Sequence, residues 1–103
     1  MSDFNTYQAN IRQFAVYHKE LGPFSVIMDL TSNVGILSNK LYNVLEDKEG
    51  TFTREEKIRI AISLGDIVNN VANMASDLDI TFDEVISLNL KKHELGNKKT
   101  EIQ

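Results

Sequence analysis

The longest amphipathic pattern in the chain runs from Thr53 to Asp79 and predicts one helix with two opposed faces. Its apolar residues recur at alternating spacings of four and three, which places them on one side of a helix; they are Ile60, Leu64, Ile67, Val71, Met74 and Leu78. The opposite side is polar and carries Ser63, Asp66, Asn70, Asn73 and Asp77. The wide apolar side predicts packing against more than one neighbour. The polar stripe either faces water or forms the wall of a site.

Two amphipathic segments precede this helix. The first, Asp3 to Leu21, is predicted to be a helix that ends at Gly22-Pro23, because glycine favours a helix C-terminus and proline cannot continue a helix. The second predicted helix, Phe24 to Glu46, repeats apolar residues at three-four spacing, as helical bundles do; they are Ile27, Leu30, Val34, Leu37, Leu41 and Val44.

Matching cap signals open the last two helices. Thr53 followed by Glu56 is a capping box, and Thr81 followed by Glu84 repeats it at the start of a fourth helix over residues 82–94. Only three residues separate the last two helices, so we predict that they are antiparallel neighbours. The chain is therefore predicted to be an all-α four-helix bundle.

The length of 103 residues allows one small domain, which we place at residues 1–96, with a flexible polar tail at 97–103. A net charge of -4 argues against a nucleic-acid partner, and no apolar run is long enough to span a membrane. With no cysteine and no signal peptide, we expect a cytoplasmic protein. The apolar arcs exceed what so short a chain buries alone, which predicts a homodimer or homotetramer.

Catalytic signals are sparse. The two histidines lie far apart near predicted element ends, and neither a phosphate-binding glycine loop nor a nucleophile turn is present. A carboxylate-held magnesium ion needs several acidic oxygens that converge, which on paired helices means acids at i and i+3 of two facing segments. The third helix offers Asp66 with Ser63 at this spacing. The second offers Asn33 and Ile36, with Asp29 one turn earlier.

Five segments of the chain together resemble a known family. They read FNTYQ, FAVY, LTSNVGIL, SLGDIVNNVA and LDITFDEVISLNLKK. They span residues 4–92 and resemble the MazG-like branch of the all-alpha nucleoside triphosphate pyrophosphohydrolases. The resemblance implies a MazG-like helical bundle. It also implies a magnesium site in which four acids of the motifs E-V-G-E and E-L-G-D hold the metal, while water attacks between the first and second phosphates.

The chain departs from this pattern at the metal. The four acids of the family fall on Asn33, Ile36, Ser63 and Asp66, so only Asp66 matches. Asp29 is the nearest substitute carboxylate. Isoleucine cannot coordinate a cation, and one negative charge stands where four are expected, whereas Mg²⁺ prefers about six oxygen ligands. We therefore expect magnesium affinity and hydrolysis to be lost, and no cofactor to be required unless the chain is an enzyme after all.

The resemblance also implies residues that bind the nucleotide. The asparagine and lysine associated in the family with the phosphates fall on Asn89 and Lys92, for which the alternative is a solvated helix face. Asn70 replaces one of two aromatic residues that often follow the aspartate. A residual pocket of Asn33, Asn70 and Asn73 is a hypothesis for neutral hydrogen bonding to a base.

Three functions follow as hypotheses. The first is a catalytically degenerate MazG-like protein, a pseudoenzyme that binds a partner protein or a nucleotide without cleaving it. The second is an active magnesium-dependent pyrophosphohydrolase with replacement ligands from Asp29 or Asp77, or from another subunit. The third is a nucleotide sponge or sensor. Binding and pyrophosphate release together distinguish the three hypotheses.

Overall fold

A computed structural model describes residues 3–102, with side chains at all of these positions except 19, 48 and 98–102. Four α-helices make up the described chain: α1 (Phe4–Arg12), α2 (Pro23–Lys48), α3 (Arg54–Asp77) and α4 (Phe82–Ile102), with a 3₁₀ turn at Lys19–Leu21 before α2. No strand occurs within this range. The predicted all-α class is therefore confirmed. None of these helices is both long and apolar enough to cross a bilayer.

The helices α2 and α3 form an antiparallel pair that is the main body of the fold. Asn33 hydrogen-bonds to Asn70, and seven residues further along α2 Lys40 hydrogen-bonds to Ser63, seven residues earlier in α3. These two pairs fix the register of the helices. Few large side chains of the described chain are buried, since its buried apolar residues are Val26, Val44, Ala72, Ala75 and Phe82.

The capping box predicted for α3 is confirmed. The Thr53 hydroxyl accepts from the Glu56 N–H at 3.2 Å, and the Glu56 carboxylate accepts from the Thr53 N–H at 2.8 Å. At the next helix start, the Thr81 hydroxyl accepts from the Glu84 N–H at 3.1 Å. These local signals set both helix starts because they satisfy N–H groups that have no partner inside a helix.

The predicted first helix over residues 3–21 was wrong in length, since α1 ends at Arg12. The chain then turns, so that Tyr17 lies against Arg12 and both meet Asp77 of α3. Residues five apart in a helix point about 140° away from each other, at roughly 100° per residue. A continuous helix would have separated Arg12 from Tyr17, and the turn brings them together.

The Gly22-Pro23 pair, predicted only to end a helix, lies at the start of α2. Pro23 occupies the first helical position, where its fixed φ suits the helix and its missing N–H is not needed. Gly22 precedes it with φ 53°, a left-handed value that glycine adopts at little cost. At the other end α2 continues to Lys48, two residues past the predicted Glu46.

The fourth helix is longer and less packed than predicted. It continues past Glu94 and Gly96 to Ile102. Among its side chains described through residue 97, Phe82 is buried and Val85 is half-buried, both near its start, and residues 86–97 are all exposed. The predicted antiparallel packing of α3 and α4 therefore does not extend along α4. The radius of gyration of 16.9 Å exceeds the roughly 13 Å of a compact domain of this length.

One buried amide joins α1, α3 and α4. Gln8 is only 9% exposed. Its Nε2 donates to the carbonyls of Ala72 (3.4 Å) and Ile80 (2.9 Å) and to the Ser76 hydroxyl (3.1 Å), and its Oε1 accepts from the Phe82 N–H at 2.8 Å. The Phe82 N–H belongs to the first residue of α4. Gln8 therefore holds α1 on α3 and helps to cap α4.

We predict that Gln8→Ala lowers the free energy of unfolding by about 3 kcal/mol, because it leaves buried polar groups without partners and removes packed atoms. Urea denaturation monitored by circular dichroism measures this change. The exposed Gln13 at the end of the same helix provides the matched control. Gln13→Ala should shift stability by less than about 0.5 kcal/mol. Equal effects of the two substitutions would contradict the central position of Gln8.

Candidate ligand-binding cleft

A cleft of about 470 Å³ opens between the turn after α1, the first turns of α2 and the second half of α3. This volume is within the range of roughly 300–1,000 Å³ typical of small-molecule sites. The lining residues are Phe14, Ala15, Val16, Tyr17, Ser25, Val26, Met28, Asp29, Ser32, Asn69, Asn70 and Asn73. The cleft therefore has a polar wall from α3 and an apolar rim from the turn.

Three asparagines of α3 form the polar wall. Asn70 is 6% exposed and Asn73 is 5% exposed. The Asn70 Oδ1 accepts from Asn33 and its Nδ2 donates to Asp29, both at 2.7 Å. The Asn73 Nδ2 donates to the Asn69 Oδ1 at 2.7 Å. A carboxamide can make four hydrogen bonds, and Asn70 and Asn73 each make two of them within the protein.

A charged cluster anchors the turn that forms the rim. The Arg12 Nη2 donates to the Asp77 Oδ1 at 2.6 Å, and its Nη1 donates to the Asn73 Oδ1 at 3.2 Å. The Tyr17 hydroxyl donates to the Asp77 Oδ2 at 2.7 Å and also accepts from Arg12. The Asp77 side chain is only 5% exposed. Its charge is therefore compensated by two donors, which tie the turn to α3.

The phenol of Tyr17 is held in its protonated form. Burial raises the pKa of Tyr17, and the hydrogen bond that it donates to Asp77 raises this pKa further. A neutral hydroxyl is the form that can donate to a carboxylate. The contact between Tyr17 and Asp77 therefore depends on the phenol proton, which the folded protein retains to a higher pH than an ordinary tyrosine does.

The structure brings several of the predicted site residues together. Asn33, Asn70 and Asp29 form one hydrogen-bonded group across α2 and α3, in which Asn33 also approaches Asp29 at 3.5 Å. Of the three residues in the hypothesised asparagine pocket, Asn70 and Asn73 line the cleft, whereas Asn33 is not among the lining residues. Asn33 lies behind this wall and supports Asn70.

The four positions of the expected metal motif face other partners. Ser63 is 4% exposed and accepts a hydrogen bond from the Lys40 ammonium at 2.6 Å. Ile36 is 49% exposed. Asp66 is exposed, and its charge is the second cause, after burial, of the raised pKa of Tyr7. Asp66 therefore lies on the side of α3 that approaches α1.

The helix register explains this separation. For the motif positions to converge, Asn33 would lie opposite Asp66, and Ile36 would lie opposite Ser63. In the structure Asn33 pairs with Asn70 instead. This pairing is four residues away from the required one, which is about one helical turn.

The residues present do not fit a magnesium ion. The Lys40 ammonium already lies at one motif position, where it would repel a cation. Isoleucine offers no ligand atom at a second position. Among the side chains that the structure describes, no group of three or more histidines or acids could hold a metal.

Asn89 and Lys92 lie apart from the cleft lining. Both are exposed on the part of α4 that leaves the body of the fold. They lie seven and ten residues after Phe82, which corresponds to about 10 and 15 Å along the helix axis. The described chain therefore does not join them to Asn70 in one site.

Sequence reasoning missed Arg12, Tyr17 and Phe14 as parts of the site. All three lie in the segment 3–21, which the sequence pattern predicted only to be one amphipathic helix. The missed signal was electrostatic, because Asp77 on the polar face of α3 needs a basic partner if it is buried. No local pattern identifies which basic residue supplies that partner.

The chain is similar in sequence to a phage protein. The Gene 37 protein of Mycobacterium phage L5 is 33% identical over 78 residues, which cover 76% of this chain and 68% of the phage protein. No protein-family model matches the chain. No solved structure gives a significant match either.

We predict that Tyr17→Phe lowers the free energy of unfolding by about 1–2 kcal/mol near neutral pH, because the buried Asp77 loses one donor. The folded-state pKa of Tyr17 lies above its ordinary value of 10.0. Its contribution is therefore complete below pH 10 and is lost as the pH rises through the higher folded value. Urea denaturation from pH 7 to 11 should show a smaller alkaline loss in this variant than in the wild type.

The control for this series is Tyr42→Phe, which changes a tyrosine that is 57% exposed. It should leave stability at neutral pH within about 0.5 kcal/mol of the wild type. An identical alkaline loss in the wild type and in Tyr17→Phe would contradict a role for the Tyr17 proton.

Proposed function

We propose that this chain, which belongs to the same family as the Gene 37 protein of Mycobacterium phage L5, binds a nucleotide through its base and does not hydrolyse it. In this proposal the chain is a catalytically degenerate, MazG-like pseudoenzyme that assembles as a homo-oligomer. The observation that carries the ligand part is the asparagine wall of the cleft. The phage protein's name describes no activity, so the proposal depends on the chemistry of the cleft.

Carboxamides suit a nucleobase because they present a donor and an acceptor side by side. An asparagine can pair in this way with the edge of adenine. Within the protein, Asn70 makes two hydrogen bonds and Asn73 makes two, out of four that each can make. The unused capacity of both side chains is available to one edge of a base.

The aromatic rim provides the second part of the recognition. Phe14 lines the cleft and is 71% exposed. A base that hydrogen-bonds to the asparagine wall can stack on such a ring, and each stacking contact contributes roughly 1–3 kcal/mol. In this proposal the exposed Phe14 is the surface on which the base stacks.

The cleft recognises a base better than a phosphate chain. None of its described lining residues is a lysine or an arginine, and Asp29 adds a negative charge to the wall. A triphosphate therefore gains no compensating charge within the cleft and is repelled by Asp29. We accordingly expect a nucleoside to bind at least as tightly as its triphosphate.

A protein partner is the second candidate. It is favoured by the exposed apolar residues of the turn after α1, where Val16 is 98% exposed. An apolar side chain so exposed next to an apolar rim is a feature of interaction sites. Nucleotide binding at the cleft separates this candidate from the first.

The test is calorimetric titration of the purified protein with nucleosides, monophosphates and triphosphates, with and without magnesium. We expect saturable binding that is insensitive to magnesium, with no pyrophosphate in the samples afterwards. Binding that occurs only with the triphosphate, or pyrophosphate release that Asp66→Ala abolishes, would restore the active pyrophosphohydrolase. No binding across the panel would leave the protein-partner candidate.

We predict that Phe14→Ala weakens nucleoside binding by about 5- to 100-fold, because the base loses its stacking surface. The matched control is Phe24→Ala. Phe24 is 76% exposed, close to the 71% of Phe14, but it does not line the cleft. Phe24→Ala should leave the affinity unchanged, and an equal loss in both variants would place the ligand elsewhere.

A further inference from the structure

The two sides of the α2/α3 pair differ in chemistry. Some residues of α2 and α3, such as Asn33 and Asn70, contact the other helix directly. The residues that come immediately before such contact residues lie on one side of the pair; they include Ser25, Ser32 and Asn69, which line the cleft. On the other side, the positions that follow contact residues are apolar. We call this second side the apolar face; it consists of Ile27, Val34, Leu41 and Leu45 from α2, of Leu64, Val68 and Val71 from α3, and of Leu78 directly after the end of α3.

The geometry of antiparallel helices places these residues on one side. In each helix the position after a contact residue is rotated by about 100° in the direction of the chain. In an antiparallel pair the second helix runs the opposite way and also faces the opposite direction. These two reversals cancel, so the residues that follow contact residues lie on the same side of the pair in both helices. Leu64 follows Ser63, and Leu41 follows its hydrogen-bond partner Lys40. These two leucines therefore flank the same contact.

Most side chains of the apolar face are exposed, and the polar Thr31 and Ser38 lie between its α2 residues. Its large side chains are between 40% (Leu41) and 62% (Leu45) exposed, apart from the half-buried Val71. Within α2, Ile27, Val34 and Leu41 recur every seven residues, which is the repeat of helices that pack along a shared seam. The face runs for about 27 Å, at 1.5 Å per residue over α2.

The exposed area of the chain is too large for a monomer of its size. The chain of 11.7 kDa exposes 7928 Å². A folded monomer of this mass exposes about 5,900 Å² by the usual scaling with mass. The excess is about 2,000 Å², whereas a stable interface buries roughly 800 Å² on each partner. The exposed stretch of α4 at residues 86–97 contributes to this excess, and the exposed side chains of the apolar face contribute as well.

A second copy fits this face better than a partner of different chemistry. The face includes no carboxylate, although the chain carries 15 acidic residues and a net charge of -4. Depletion of charge is the mark of an interface core. A two-fold dimer also uses the same patch on both subunits. Two flat helical pairs with matching apolar stripes then stack as a four-helix arrangement.

We infer that the apolar face of α2 and α3 is the surface through which two copies of this chain associate. The inference rests on the assembly part of the proposed function and adds the location of the interface. It leaves the cleft open, because the cleft lies on the opposite side of the pair. Ligand binding and association therefore involve separate surfaces.

The structure offers a closely matched pair of substitutions on the two sides of Ser63. Leu64 follows this residue and lies on the apolar face with 49% exposure, whereas Ile62 precedes it and lies on the opposite side with 62% exposure. We predict that the wild type is a dimer or larger oligomer by light scattering. Leu64→Glu should raise the dissociation constant on the order of 100-fold, because a charge enters the interface core. Ile62→Glu should leave it unchanged.

Cysteine labelling provides a second measurement that needs no disruptive substitution. The chain has no cysteine of its own, so Leu64→Cys and Ile62→Cys each introduce a single thiol. Maleimide should modify the thiol at position 64 slowly at high protein concentration and at least 10-fold faster after dilution. It should modify the thiol at position 62 equally fast at both concentrations.

The outcomes separate the two levels of the inference. A wild-type monomer at all concentrations would overturn both association and its surface. An oligomer that persists in Leu64→Glu, with a thiol at position 64 that dilution does not expose, would overturn the surface alone. Equal dissociation of the Leu64→Glu and Ile62→Glu variants would overturn it as well. If Leu64→Glu fails to fold by circular dichroism, the labelling result decides.

Discussion

The burial of one amide, that of Gln8, determines how three helices of this protein are arranged. A buried carboxamide has to satisfy its donors and its acceptor within the protein, because it has no access to water. Gln8 does so with groups in the last turns of α3, in the connection that follows and at the start of α4. Since Gln8 belongs to α1, its hydrogen bonds fix α1 across the end of α3. The turn that follows α1 is thereby positioned over the asparagine wall.

The α2/α3 pair is held in register by polar contacts at a helix interface. Asn33 with Asn70 and Lys40 with Ser63 occupy positions where a simple bundle would have apolar side chains. Apolar contacts tolerate sliding, whereas a buried polar side chain that loses its partner costs free energy. These pairs therefore select one register among several that the apolar repeat alone allows, which is a known use of buried polar residues in paired helices.

This register also determines which side chains face each other across α2 and α3. It directs Ser63 to a lysine and Asn33 to another asparagine, and it aligns Asn70 with Asp29. The absence of the acids that a magnesium site would need is a property of the sequence itself. The register decides only which side chains those positions meet.

The sequence by itself determined the features that arise from local interactions. The apolar repeats predicted α2 and α3, and the capping box at Thr53 predicted where α3 begins, because these effects involve residues within a few positions of each other. The polar stripe of α3 was also enough to identify Asn70 and Asn73 as candidate site residues. These predictions depended on no knowledge of the neighbouring helices.

Only the tertiary structure decided where α1 ends, which register the helices adopt and how the cleft forms. The Arg12 and Tyr17 contacts with Asp77 join residues 65 and 60 positions apart. Such contacts compete with local helix propensity and override it at residues 13–18. A buried carboxylate without hydrogen-bond donors costs more free energy than an exposed segment loses by not being helical. The sequence also did not predict the length of α4, because the residues of this helix beyond Val85 are exposed and their pattern indicates no packing partner. Long-range hydrogen bonds, and not periodicity, therefore created the site.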